Sequence, residues 1–408
     1  MSYPHDFPKL RAVEAHPSQA RRGMIDVIDP SGLAPDGLTL SEAVLFVISR
    51  MDGRHSRLDI QADFMRRQGT FLFSDDFEKM IEQLDRALFL EGPRFEAHVA
   101  ELTRQYRAAP TRPLRDKESL GAPPDGLADY LDALLTIRAS REPEANGRVI
   151  GLLAPHLDYD RGAPCYAAAY RAIARRTDAR RFVILGTNHY GRSRAVVGTR
   201  KDFETPFGVV RHDAEFMRRL DKRCGADLCE REYDHVREHS VELQVLMLKH
   251  LLPDRELLIA PYLCPDPCGP TGTAPSDGQG VDLRDFAAAL SAEIAADDVP
   301  TCVIAGADLS HVGRYFQDDR DLNGEVLRDV EDTDRQALDC ILKCDPESLR
   351  AAVSLTENAT NICSVGCAYV LTSVLKDRAR PRLLHYHQAL TREIENCVTC
   401  AAMEFTSG

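Results

Sequence analysis

The chain has 408 residues, enough for two domains, with the 44% apolar and 28% charged composition of a soluble globular protein. Its formal charge of −13, from 51 basic against 64 acidic residues, argues against a nucleic-acid partner, because binding a phosphate backbone needs clustered cations. Met1 to Leu10 lacks the basic-then-apolar layout of a signal peptide, and no run approaches the roughly 18 apolar residues of a membrane span, so a cytoplasmic chain without a membrane partner is expected.

Residues 1–98 read as one unit. Leu40 to Met51 has helical apolar spacing, Asp52-Gly53 breaks it, and Leu58 to Arg67 resumes a helix. Asp76 to Leu88 gives a third helix, with Phe77, Met80, Ile81, Leu84 and Leu88 along one stripe. The turn Leu90-Glu91-Gly92-Pro93 then precedes a short expected strand. Helices followed by a terminal hairpin suggest a small winged-helix-like α+β module. The pattern resembles the peptide-recognition domains of the coenzyme PQQ chaperone type, which implies a peptide partner; a helical cap on the main domain is the alternative.

Residues 99–147 read as a connector. Ala108-Ala109-Pro110-Thr111-Arg112-Pro113 and Gly121-Ala122-Pro123-Pro124 break the chain around one helix, Leu127 to Arg138. From 148 to 408, short strands alternate with helices such as Ala163 to Arg175 and Glu238 to Leu251, the signature of a layered α/β domain. Three apolar runs end directly on a small-residue turn bearing a histidine: Val149 to Ala154 before His156, Phe182 to Leu185 before His189, and Thr301 to Ala305 before Asp308 and His311. Ligands of open parallel sheets bind beyond the carboxyl ends of the strands, so these imidazoles are expected to converge on a metal or acid/base site. Any one of them alone reads more readily as a loop-anchoring hydrogen-bond partner than as a ligand; it is the threefold recurrence that points to a site. Cys264 to Gly280, rich in proline and glycine, reads as a surface loop. Glu204-Thr205-Pro206-Phe207-Gly208 reads as a rigid turn that shapes a pocket.

Twelve cysteines without a secretion signal read as reduced thiols. Cys397 and Cys400 fall in an expected strand, where positions three apart face opposite sides and cannot chelate one ion. Cys363 and Cys367, spaced four apart at a helix entry, share a face if both are helical, and a thiol at a helix N-terminus has a depressed pKa. His235-Val236-Arg237-Glu238-His239 satisfies the H-x-x-E-H string of inverted zinc proteases, so a zinc hydrolase with His235 and His239 as ligands and Glu238 as base is an alternative. His212 and His250 read as packing residues. Tyr159 and Tyr190 are candidate hydrogen-bond donors to substrate, or simply packed with a wet hydroxyl.

Six boxes in order, Ala154-Pro155-His156, Leu185-Gly186-Thr187-Asn188-His189, Glu204 to Gly208, Glu238-His239-Ser240-Val241-Glu242, Asp308-Leu309-Ser310-His311 and Asn361-Ile362-Cys363, resemble the Memo family, known as AmmeMemoRadiSam system protein B. The resemblance implies an α/β fold with a central, mostly parallel sheet flanked by helices, similar to class III extradiol dioxygenases. It further implies that His156, His189 and Cys363 form a metal triad, with His311, Asp308 and His239 as catalytic residues around the same pocket. Three departures stand out. Asp158 follows the first histidine and is a candidate extra ligand, Ser364 replaces a glycine after the cysteine, and His385 and His387 are additional candidates near the C-terminus.

Two imidazoles and one anionic ligand leave open positions suited to Fe(II), and a thiolate softens the site toward copper; zinc ranks third. If the turn is helical, Asp308 orients His311 as an acid or base. The reading is a mononuclear non-haem metal oxidoreductase, oxygen-using, acting on a small or peptide-borne substrate. Its alternative is a non-catalytic module that binds a peptide or anion through Arg161 or Arg192.

Overall fold

The computed structural model describes residues 6–114, 120, 126–137 and 146–408. The chain divides into two units, Met1–Ala108 and Ala109–Gly408. The breakers Gly121-Ala122-Pro123-Pro124 and the expected helix end at Arg138 lie outside the described residues.

In the smaller unit, β1 (Glu14–Pro17), β2 (Met24–Ile28) and β3 (Leu38–Ser41) form an antiparallel sheet in that order. Helices α1 (Glu42–Ser49), α2 (Arg57–Gln68), α3 (Ser74–Arg86) and α4 (Pro93–Ala108) follow. The first three match the expected helices. Ser56 and Asp59 close a reciprocal cap at the start of α2, and the α3 stripe buries Phe77, Ile81 and Leu84. The module is α+β as expected, but its sheet precedes the helices. The strand expected after Pro93 is instead helix α4, because Pro93 sits at a helix start, where its missing N–H costs nothing.

The larger unit is built on one mixed sheet. Its elements in chain order are β4 (Thr111–Arg112), α5 (Leu127–Leu135), β5 (Val149–Ala154), α6 (Tyr159–Arg176), β6 (Arg181–Thr187), β7 (Val197–Gly198), β8 (Asp202–Thr205) and β9 (Gly208–His212). Then come α7 (Ala214–Cys224), α8 (His239–Leu251), β10 (Leu258–Cys264), α9 (Leu283–Ala295), β11 (Thr301–Gly306) and β12 (Asp308–Gly313). Helices α10 (Gly324–Leu342), α11 (Pro346–Leu355) and α12 (Val365–Leu375) lead to the closing hairpin β13 (Ala379–Thr391) and β14 (Asn396–Ser407). The strand order is β12-β14-β5-β11-β6-β10-β9-β8-β4, with β13 on β14 and β7 on β10. Residues 99–108 of the expected connector belong to α4 of the smaller unit, whereas further on β4 pairs with β8 and α5 buries Leu127, Leu131 and Leu134 against the helix layer.

At the centre, β5, β11, β6 and β10 run parallel. Their residues are almost all buried, as expected of strands covered by helices on both faces. Because β5, β11 and β6 are adjacent and parallel, the chain leaves all three at the same sheet edge. The turns carrying His156, Asp308 and His189 thus start side by side. Helix α8 crosses this edge closely. A Cβ on Gly186 would lie 2.4 Å from Ser240 Oγ, and one on Gly306 would lie 2.5 Å from the Ser240 carbonyl, so only glycine admits the helix start there. Cys264 to Gly280 forms the expected loop between β10 and α9, and Gly208 (φ 111°) turns the β8–β9 hairpin. Among the described residues, no helix is long and apolar enough to cross a membrane.

Candidate metal centre

His156 follows β5, buried at 2% exposure. Asp308 Oδ1 accepts its backbone N–H at 3.0 Å, and its Nδ1 donates to the Gly306 carbonyl at 2.9 Å. A carbonyl can only accept, so Nδ1 carries the proton and Nε2 is turned the other way. That nitrogen lies 3.4 Å from Cys363 Sγ and 3.5 Å from Asp308 Oδ2.

His189 follows β6 and is fixed by the same logic from another element. Glu238 Oε1 takes its Nδ1 proton at 3.0 Å and Oε2 takes its backbone N–H at 2.9 Å. Glu238 also caps α8, accepting from the Ser240 N–H at 2.9 Å, so one fully enclosed carboxylate anchors a helix and an imidazole. His239, the first residue of α8, lies over His189 with ring centroids 5.1 Å apart and planes 11° apart. The His156 ring stands edge-on to both, 4.9 Å from His189 and 5.5 Å from His239. One nitrogen of each of the three lies within 4.8 Å of the others. Side-chain exposure rises from 2% at His156 to 15% at His239 and 24% at His189, so the cluster opens on the His189 side.

Cys363 enters from the loop before α12. Asn361, in the left-handed conformation (φ 53°) that asparagine tolerates, turns the chain just before it. Burial pushes the thiol pKa up, but His156 and His311 beside it outweigh burial and hold it well below the usual thiol range. Reciprocally, burial pulls His156 down, while the Asp308 carboxylate and the Cys363 thiolate raise it to about 9. Burial opposes ionisation of His189 and Glu238 too, yet their pairing raises the first well above and lowers the second well below the ordinary value. Ser364 Oγ, where a glycine was expected from the resemblance, ties the corner together. It contacts Cys363 Sγ at 3.1 Å and Thr187 Oγ1 at 3.1 Å, and it accepts from the Asp308 N–H at 3.2 Å.

Several expectations are corrected. Asp308 and His311 lie on a strand, so Asp308 takes the His156 backbone N–H and does not orient His311, whose Nδ1 donates to the Leu309 and Asn361 carbonyls at 3.0 and 3.1 Å. A register shift in β12 between Asp308 and His311 nevertheless lets both address the thiol and imidazole cluster, since the extra residue of a bulge re-aims a side chain. His235 is not on a helix face with His239. It sits in the short helix Glu232–Val236, donating Nε2–H to the Val197 carbonyl at 2.9 Å, while Glu238 is engaged by His189; the zinc-protease arrangement is absent. Cys363 precedes α12 and Cys367 lies inside it beside Thr187, so the two thiols do not share a helical face.

Asp158 is no extra ligand: it caps α6 and pairs with Arg161 at 2.6 Å. His385 and His387 stack with each other on β13, 6.3 Å apart, outside the imidazole cluster. Tyr159 is buried with its hydroxyl donating to Leu243, whereas Tyr190 stays at the site, 5.9 Å from the His189 ring. Cys397 packs with Val312 and Val330, Cys400 lies in the separate cluster with α6, and His212 and His250 bond Asp202 and Asp132. Sequence reading assigned Glu238 only to zinc chemistry and missed Ser364 and the Gly306 carbonyl as fixing groups. The Glu238-His239-Ser240 string carried the first signal and the serine after Cys363 the second; the Gly306 carbonyl had none.

A family model described as Memo-like protein matches residues 123–404. A MEMO1 family protein of Aquifex aeolicus is 26% identical over 408 residues, covering 98% of this chain and 99% of that protein. One of Thermus thermophilus is 26% identical over 337 residues, covering 82% and 94%. One of Methanocaldococcus jannaschii reaches 41% over a shorter stretch of 106 residues, 25% of this chain and 36% of that protein.

Proposed function

The chain belongs to the Memo family, and from that premise we propose that it binds one redox-active metal ion through His156, His189 and Cys363 and works as an oxidoreductase. The observation that carries the reading is the fixed tautomers. Nδ1 of His156 and of His189 is committed to Gly306 and Glu238, which leaves Nε2 of each as the nitrogen a metal would take, in exchange for the proton that the raised pKa values keep there, next to a thiol whose ionised form is favoured. Two borderline nitrogens and a thiolate suit Fe(II) first and copper second; zinc fits the donors but not redox work. The metal, when bound, supplies one-electron chemistry and open positions for a small or peptide-borne substrate, with dioxygen as the oxidant.

The protein's own groups then have separate tasks. The Gly306 carbonyl and Glu238 hold the two imidazoles in orientation, Asp308 fixes the His156 backbone, and Ser364 steadies the thiol. His239, stacked on His189 and 15% exposed, and His311, next to Cys363, are the groups placed to exchange protons with a substrate. All twelve cysteines are free thiols, which supports a reducing, cytoplasmic setting. The smaller unit is the place proposed for a peptide partner.

Metal analysis of anaerobically purified protein tests the reading. The wild type should carry close to one equivalent of iron or copper, and His156→Ala, His189→Ala and Cys363→Ala should each lose most of it. Absence of metal from wild type and variants alike would leave a binding module on this scaffold.

A further inference from the structure

Arg112 is a guanidinium sealed inside the larger unit at 1% exposure. It lies on β4, ahead of the segment 123–404 that the family model matches. Nε donates to the His235 carbonyl at 2.8 Å, Nη2 donates to the Glu238 carbonyl at 2.7 Å, and Nη1 meets the Glu242 carboxylate. Its flat face lies over Phe203, its register partner on β8, with Cζ 5.0 Å from the ring centroid. The three acceptors span the entry and first turn of α8, the stretch from which Glu238 reaches His189 and His239 reaches the cluster.

We propose that Arg112 is a positioning residue for the candidate metal centre: it fixes the backbone of residues 235–242 so that the Glu238 carboxylate meets His189 and sets the direction of its Nε2. The purpose of this device rests on the metal reading above; its geometry does not. A planar fork with fixed donor directions binds two carbonyls and a carboxylate together, which a single ammonium at that depth does not reproduce. The ion pair with Glu242 balances the charge, so removing both partners together is the gentler perturbation.

The test uses the full chain, metal-free and labelled with ¹⁵N-histidine. In wild type the Nδ1 protons of His189, held by Glu238, and of His156, held by the Gly306 carbonyl, should both give protected downfield resonances. In Arg112→Met/Glu242→Leu, and again in Arg112→Lys, the His189 proton should exchange at least about tenfold faster while the His156 proton is unchanged. Co(II) affinity should fall at least about tenfold, the scale of losing a partner that orients a ligand. An unchanged His189 proton in either variant overturns the proposal, and so does equal loss of both protons, which marks general loosening. Failure of the wild type to bind Co(II) would remove the metal reading, while the proton exchange still decides the role of Arg112.

Discussion

Glu238 meets His189 twice, taking the backbone N–H at 2.9 Å and the Nδ1 proton at 3.0 Å, and it does so from the cap position of α8. The ligand's orientation and the helix start are therefore one structural fact. Glu238→Gln keeps the size and an acceptor but removes the charge, so metal affinity should fall about 10- to 100-fold in a Co(II) titration with little loss of fold. Glu238→Ala should in addition lower stability by about 1 kcal/mol through the lost cap, read in a urea melt. Equal affinity in all three proteins would separate Glu238 from the site.

The three clustered imidazoles do not have equal standing. Nε2 of His156 faces Cys363, and His189 has its other nitrogen fixed, whereas His239 enters from α8 and stacks on the His189 ring. Metal content should therefore survive in His239→Ala and His311→Ala and vanish in His156→Ala. Loss of the metal in His239→Ala would instead make that residue a ligand.

Cys363 is the thiol that should react first. In the metal-free protein at pH 7, iodoacetamide should label it at least about tenfold faster than the buried cysteines, and bound metal should suppress the labelling. Burial raises the thiols of Cys229, Cys302 and Cys367, which makes them poor nucleophiles. Peptide mapping by mass spectrometry reads the order directly.

The bulge in β12 rests on a buried carboxylate. Asp334 on α10 accepts from Ser310 Oγ and Thr399 Oγ1 at 2.6 Å each and from Tyr386 OH at 2.8 Å. Ser310 lies within the register shift that turns Asp308 and His311 toward the site. Asp334→Ala strands three donors and should cost about 3 kcal/mol in a denaturant melt, while Ser310→Ala should cost about 1 kcal/mol.

His235 should make the protein acid-sensitive. Burial lowers its pKa from 6.5 to about 4, so the folded state holds it neutral while the unfolded chain takes up a proton. Its contribution is present above pH 6.5 and is lost as pH falls toward 4. Relative to His235→Gln, which cannot titrate, the wild type should lose about 3 kcal/mol of unfolding free energy across that window. Parallel pH profiles of the two proteins would sink the assignment.

The legible part of the site was the part written in local context. His156 and His189 each follow an apolar run that can only be a buried strand, and parallel strands release their chains at one edge, so their convergence followed from strand order. Cys363 came from its box, without any local pattern that fixed its direction. Asp308 was legible as a site residue but not as the partner of His156, because that depends on a bulge, and nothing in Asp308-Leu309-Ser310-His311 announces one. The string His235 to His239 showed the converse: helical spacing suggested a shared face, and the helix begins only at His239.

By itself, the sequence determined where the central strands and most helices form, because periodicity of apolar side chains and capping residues act within a few positions of the chain. It also determined that imidazoles crowd one edge of the sheet. Tertiary structure alone decided which groups hold them: Glu238 on His189, Asp308 on His156, Ser364 beside the thiol and Arg112 beneath α8. Apart from Ser364, which neighbours Cys363 in the chain but also reaches Thr187 and Asp308, those pairings join residues from 49 to 152 positions apart, and hydrogen-bond direction at such separations is set by how layers pack.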